Sequence, residues 1–326
     1  MSARLLSRLA QRLTGRSVKQ IQSTRDTVAT MRALTEGLTE TAEAIAASQK
    51  QMAKILAMQS AGEKDHRQMR GQMSALVRAA HLRVELPSPL DVHAQRFSLL
   101  SEHEEDGVIL ALLQRTGVGT RTFVEIGRAG NAATLARDMG WRGLVINTGY
   151  YRRDRTDHFR DTDTVIIRQA VDAATINDVL SEHGYGGQVD LLSMQVRDNE
   201  YWLLRALTAF RARVLVIEYN ANFGPTRAVT VPQTRPAGPA PEQYFGASLA
   251  ALEREARSLG YRLILCDSQG INAFFVRNDL APDLPGQTAR DAYRPHRFRA
   301  RGTNQPPTPE DTFQLLERAQ LPLVTV

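Results

Sequence analysis

Between residues 97 and 280, short apolar runs rich in β-branched side chains alternate with helix-length amphipathic stretches. That alternation constrains the fold more than any other feature of the chain. The runs at 122–126, 144–146, 164–168, 189–194 and 214–218 predict strands, and those at 107–115, 132–139, 173–183, 201–209 and 246–258 predict helices. Parallel strands need crossovers, and helical crossovers cover both faces of the sheet they connect, so the expectation is an α/β fold with a mostly parallel sheet. Two last runs, 263–266 and 273–276, are separated by a turn containing Ser268-Gln269-Gly270 and predict an antiparallel hairpin at the sheet edge.

The chain has 326 residues and is 42% hydrophobic, enough to bury a core, which excludes disorder as the whole answer. Its single cysteine, Cys266, excludes an internal disulfide framework and a Cys-rich zinc module. No apolar run approaches the ~20 residues that span a bilayer. Lys plus Arg is 41 and Asp plus Glu is 35, a net charge of +6. Arg4, Arg8, Arg12, Arg16, Lys19 and Arg25 all precede the first acid, Asp26, and they account for that excess. The rest of the chain is balanced, so no nucleic-acid partner is expected, since that needs basic residues clustered on the folded body.

Residues 1–16 form a basic amphipathic pattern, with Arg4, Arg8 and Arg12 on one helical face and Leu5, Leu6, Leu9 and Leu13 largely on the other. Such a helix lies on anionic membrane surfaces. The same residues also read as the solvated start of the next helix, or as an organellar targeting segment. Residues 17–83 lack proline and carry a heptad-like seam: Ile21, Val28, Met31, Leu38, Ala42, Ile45, Met52 and Leu56. The seam breaks near Gly62 and resumes at Met69, Met73, Leu76 and Ala80. So long and narrow a stripe predicts a coiled-coil-like helix that joins copies of the chain into a homo-oligomer, the alternative being a long helix that packs back on its own domain. The expected location is cytoplasmic, peripheral at the inner face of a membrane. Residues 281–326 form a Pro- and Arg-rich tail with one helix expected at 309–318; its arginines read as solvated.

In a doubly wound sheet ligands sit at the carboxyl ends of the strands. The first strand ends Glu125-Ile126-Gly127-Arg128-Ala129-Gly130 just before a helix, where glycines let a ligand approach the backbone. Further blocks follow in a fixed order. They are SEHEEDG at 101–107, FVEIG at 123–127, GWRGLVIN at 140–147, DLLSMQVRDNEYW at 190–202, VLVIEYNANFGP at 214–225, YFGASLAALE at 244–253 and GINAFFVRNDL at 270–280. Over 97–280 these blocks resemble the FkbM-type branch of the class I S-adenosylmethionine-dependent methyltransferases.

The resemblance implies a Rossmann-like seven-stranded methyltransferase sheet with helices on both faces, and S-adenosylmethionine over its first two strands. Glu125 would fix the cofactor's amino-acid end, and Gly127 and Gly130 would supply the loop. The second strand of the family ends in an acid for the ribose hydroxyls; here the residue is Asn147. The family's Ser-Ile-Asp-Ile-Asp-Gly-Asn-Asp-Tyr-Trp is met by Ser193-Met194-Gln195-Val196-Arg197-Asp198-Asn199-Glu200-Tyr201-Trp202. Gln195 and Arg197 thus replace both strand-end acids, and no metal is expected. Glu218-Tyr219-Asn220 is intact, so Glu218 is the candidate base and Asn220 the group that orients it; both also read as structural polar residues at a strand end. The altered positions cluster where cofactor and chemistry would be. Two functions follow: an FkbM-like O-methyltransferase acting on a sugar or glycan-like substrate, or a catalytically inactive methyltransferase-like module (a pseudoenzyme) on an oligomeric coiled coil at a membrane.

Overall fold

A computed structural model describes residues 86, 90–150, 155–208, 210–236, 238–296 and 307–326. The chain divides into two units, Met1–Pro87 and Ser88–Val326. The basic helix expected at 1–16, the coiled-coil-like region at 17–83 and Arg297, Arg299 and Arg301 of the tail lie outside the described residues.

The second unit is built on a seven-stranded sheet. In chain order its elements are α1 (Glu105–Thr116), β1 (Thr122–Gly127), α2 (Ala133–Met139), β2 (Arg142–Asn147), β3 (Thr164–Arg168), α3 (Ile176–Glu182), β4 (Gly187–Gln195) and α4 (Glu200–Ala206). There follow β5 (Phe210–Glu218), β6 (Val229–Thr230), α5 (Leu249–Ser258), β7 (Tyr261–Cys266), β8 (Asn272–Arg277), α6 (Ala289–Ala292), α7 (Pro309–Arg318) and β9 (Val324–Thr325). The strand order is β3-β2-β1-β4-β5-β8-β7. β1 to β5 pair in parallel, whereas β8 runs antiparallel to both β5 and β7. The chain leaves the central β1 toward β3 and then returns to build outward from β4, so the topological switch lies between β1 and β4. This is the Rossmann-like α/β fold expected from the alternation. In the terminal hairpin it is the second strand, β8, that joins β5, leaving β7 at the edge.

Strand alternation sorts side chains into two layers. Val124, Ile126, Leu192, Met194, Leu215, Ile217 and Phe275 share one core with Ile176 and Val179 of α3, Leu203 and Leu204 of α4 and Leu252 of α5. The residues between them in the strands face the opposite side. By the pairings Glu125↔Ser193 and Glu218↔Asn272, the polar residues at the strand ends therefore share the face opposite that core. Asp190, fully buried at the start of β4, accepts from the backbone N–H groups of Gly119, Thr120 and Arg121 and pairs with Arg213 at 3.0 Å. One carboxylate thus fixes the entry to β1 against β4 and β5.

Several boundaries differ from the sequence expectation for local reasons. β4 and β5 begin earlier than their apolar runs, because Gly187 and Phe210 already pair. α5 begins at Leu249, not at 246, because Ser248 Oγ caps it by accepting from Ala251 N–H, and Gly246 turns the chain with φ +53. Among the described residues the crossover from β2 to β3 carries a 3-10 turn, Thr156–Phe159, whose Phe159 packs on Phe123 with ring centroids 5.8 Å apart. The expected tail helix forms as α7. Where it is described, the tail keeps Arg290 and Arg318 exposed but also docks on the domain: β9 pairs with β6, and Leu316 joins Phe223, Val229, Val231 and Tyr244 in a second small core.

Candidate functional site

At the carboxyl edge of the sheet, next to the switch between β1 and β4, Gly127 pairs with Gln195 and Glu218 with Asn272. Carrying the β4–β5 register one step beyond Met194↔Ile217 puts Gln195 beside Glu218, so the four residues form one row across four strands. Gly127 has φ +92, and a Cβ there would lie 2.1 Å from the Gln195 carbonyl oxygen. Only glycine permits so close an approach of the loop to β4.

Glu125 is buried beneath the loop that follows β1. Its Oε2 accepts from Gly130 N–H at 2.8 Å and its Oε1 from Ala132 N–H at 2.7 Å. Burial raises its carboxyl to about 7, while these N–H groups, that of Asn131 and the charge of Arg155 pull it back down. Asn147 is buried at the end of β2, and its Oδ1 accepts from Gly149 N–H at 2.8 Å, closing a turn on itself. Gln195 Nε2 donates to Asn272 Oδ1 at 2.9 Å, and Asn272 Nδ2 donates to Glu105 Oε1 at 2.8 Å. Each side chain expected to hold S-adenosylmethionine is therefore engaged by the chain itself.

The two arginines near these positions also have assignments. Arg128 turns out to Glu102 at 2.8 Å. Arg197 sits at φ +70 and lays its guanidinium 4.9 Å from the Phe245 ring centroid and 5.7 Å from that of Tyr150. It bridges the loops after β2 and before α5, above the strand ends. A third arginine, Arg155, reaches the glycine loop: its Nε lies 3.2 Å from where a Cβ on Gly130 would be, and its Nη2 donates to the Leu100 carbonyl at 2.5 Å.

On the β5 side, Glu218 is buried next to Glu200, the first residue of α4. Glu200 Oε1 accepts from the N–H groups of Val196 and Arg197, whereas its buried Oε2 has no hydrogen-bond partner among the described residues. Burial first, and Glu218 second, raise the Glu200 carboxyl well above its ordinary range. Two buried carboxyls thus stand side by side at the end of β5, an arrangement in which acid and base roles can be divided. Asn220 is committed elsewhere: its Nδ2 donates to the Gln243 and Phe245 carbonyls, and its Oδ1 accepts from Asn222 N–H at 3.0 Å.

Four groups at this edge carry no role in the sequence reading: Glu105, Arg155, Glu200 and Asp267. Glu105 lies in the block SEHEEDG and Glu200 in DLLSMQVRDNEYW, which was the available signal; Arg155 and Asp267 have none. Asp267 accepts from the N–H groups of Gln269, Ile271 and Asn272 and is raised by burial first and by Glu105 second. No cluster of His, Cys, Asp and Glu among the described residues could hold a metal ion. A cavity of ≈ 300 Å³ lies toward the opposite end of the sheet, lined largely by leucines with Phe210 and Tyr261, remote from this chemistry.

S-adenosylmethionine would need an acceptor pair at Asn147, room above Gly130 and a free carboxylate at Glu125. With the turn of Gly149, the stem of Arg155 and the loop N–H groups in those places, the residues as arranged do not fit it. No family model matches the chain, and no curated protein matches it. Among solved structures it is similar to a spermidine synthase in complex with the transition state analogue AdoDATO, with 11% identity, 66% of this chain and 72% of that chain covered, and a TM-score of 0.31. A likeness that slight carries no argument, and the Rossmann-like fold stands on the topology of the seven-stranded sheet itself.

Proposed function

We propose that this chain is a methyltransferase-like module that has kept the scaffold and does not use S-adenosylmethionine, and that it serves as an interaction domain presented by the N-terminal helical region as a homo-oligomer. One observation carries the reading. Glu125 accepts from the N–H groups of Gly130 and Ala132, Asn147 accepts from Gly149 N–H, and Gln195 donates to Asn272, so each is engaged by the chain's own loops and strands. Replacing the family's strand-end acids with Asn147, Gln195 and Arg197 removes the charges that would make the pocket compete for a polar ligand. The basic start of the chain supports placement at an anionic membrane surface, at the cytoplasmic face.

Calorimetric titration of the full chain with S-adenosylmethionine tests this. No binding tighter than millimolar is expected, and a micromolar affinity would overturn it. Light scattering of the same sample should give a mass above the 36.2 kDa of one chain. A second reading, O-methylation of a sugar or glycan-like substrate by an FkbM-type enzyme, draws support from the Glu200–Glu218 pair alone. A labelled methyl group appearing on an added glycan would favour it.

A further inference from the structure

The loop after β1 looks like a ligand cradle, yet something already lies in it. We propose that Arg155 is an internal occupant of this cradle, an autoinhibitory side chain that stands where the cationic end of a ligand would meet Glu125 and lie against Gly130. The inference rests on reading the loop as a former cofactor cradle, as above.

The geometry is specific. The Arg155 Nε, Cδ and Cζ lie 3.2, 3.7 and 3.8 Å from the position of a Cβ on Gly130, so the arginine stem covers the bare face of that glycine. A side chain at 130 would contact the arginine, and Gly130 at φ +134 admits none without strain. The guanidinium is near enough to Glu125 for its charge to favour the ionised carboxylate. A positive group laid over this glycine, with its charge felt at the acid beneath the same loop, takes the space that an amino-acid ammonium would need there.

The occupant is also weakly held. Arg155 has a left-handed backbone at φ +54, which a non-glycine residue adopts at a cost. Among the described residues its Nη2 donates to the Leu100 carbonyl and its buried Nε has no partner. A strained residue with an unsatisfied buried donor is easier to displace than the Glu125 bonds beneath it. The plug is therefore separable from the cradle it fills.

The test uses the full chain and S-adenosylmethionine as probe, by calorimetry, comparing wild type with Arg155→Ala. The expected result is at least tenfold tighter binding in the variant; a ratio below tenfold, in a variant with the wild-type circular dichroism spectrum, overturns the proposal. Should Arg155→Ala fail to fold, Arg155→Met keeps the stem and removes the charge. In that variant Glu125 should titrate at higher pH than in wild type by carbon-detected NMR, and an unchanged titration overturns the proposal. Tight binding by wild type would overturn the proposed function, while an equal affinity in both chains, or no measurable binding by either, would overturn the plug.

Discussion

Arg197 shows what one substitution does at a strand end. The β4 carboxyl end must turn into α4, and the turn places residue 197 in the left-handed region at φ +70. Any side chain there costs roughly 1 kcal/mol relative to glycine. The arginine offsets this with its contacts to Phe245 and Tyr150, each worth about 0.5–1 kcal/mol at a partly exposed site. Arg197→Ala should therefore lose the contacts and keep the strain, whereas Arg197→Gly should lose both. In urea unfolding the glycine variant is expected to be more stable than the alanine variant by about 1 kcal/mol, and equal midpoints would mean the backbone is relaxed. The sequence made position 197 conspicuous as an altered acid, but not as a strained one, because the family glycine aligns with Asp198. The same limit applies at Glu125 and Gln195. Their places at strand ends were legible, but their partners were not: Asn272 is brought to Gln195 only by the sheet order. Arg155 was invisible for the same reason, since nothing near it in the chain marks its approach to Gly130.

At the scale of elements, the strands were legible because a buried parallel strand is a near-continuous apolar run, as in β1, β2, β4 and β5; the apolar run of β3 also formed a strand, although Val165 and Ile166 are exposed there. The C-terminal segment was not, since a two-residue strand has no pattern of its own. α7 starts with a capping box between Thr308 and Asp311, stacks Phe313 on Phe223 at 5.9 Å, and receives Arg227 over the Phe313 ring at 4.1 Å. Beyond it Tyr244 donates to the Pro322 carbonyl at 2.8 Å, Val326 N–H donates to Ala228, and Arg254 donates to the Val326 carbonyl. These contacts brace the segment from 220 to 246, which also carries Asn220, Phe245 and the roof over Glu200. Deleting residues 307–326 should expose Phe223, Val231 and Tyr244. Amide exchange at 229–231 and 243–246 is then expected to rise by at least tenfold while that of β1 and β4 is unchanged. Uniform exchange across the whole domain would mean the segment is part of the global core instead.

For the molecule as a whole, the unusual property is the number of carboxyls buried at one edge of the sheet. Glu105, Glu125, Glu200 and Asp267 are all raised, with burial the first cause in each case. A carboxyl whose folded pKa exceeds its unfolded value contributes its full stability below the unfolded value, and that contribution is lost as pH rises through the folded one. For Glu125 the window runs from 4.5 to about 7, and a shift of that size corresponds to roughly 3 kcal/mol. The other three act in the same direction. Asp172, Asp279 and Asp311, held below the ordinary range by hydrogen bonds to Thr175, Arg277 and Thr308, act in the opposite direction but are exposed and weigh little. His93, lowered by burial and then by Arg96, offsets only part of the four carboxyls. The folded unit should therefore be more stable near pH 5.5 than near pH 8, the reverse of a protein held together by ionised carboxylates. Urea midpoints measured at both values are expected to fall with rising pH, and Glu125→Gln should reduce that fall by the share Glu125 contributes. A midpoint that rises instead would mean that the N–H groups around Glu125 and Asp267 outweigh burial and that these carboxyls are ionised in the fold. The same measurement then bears on Glu200. Its buried Oε2 has no hydrogen-bond partner among the described residues, and burial first and Glu218 second raise its carboxyl, so it acts in the same direction as Glu125.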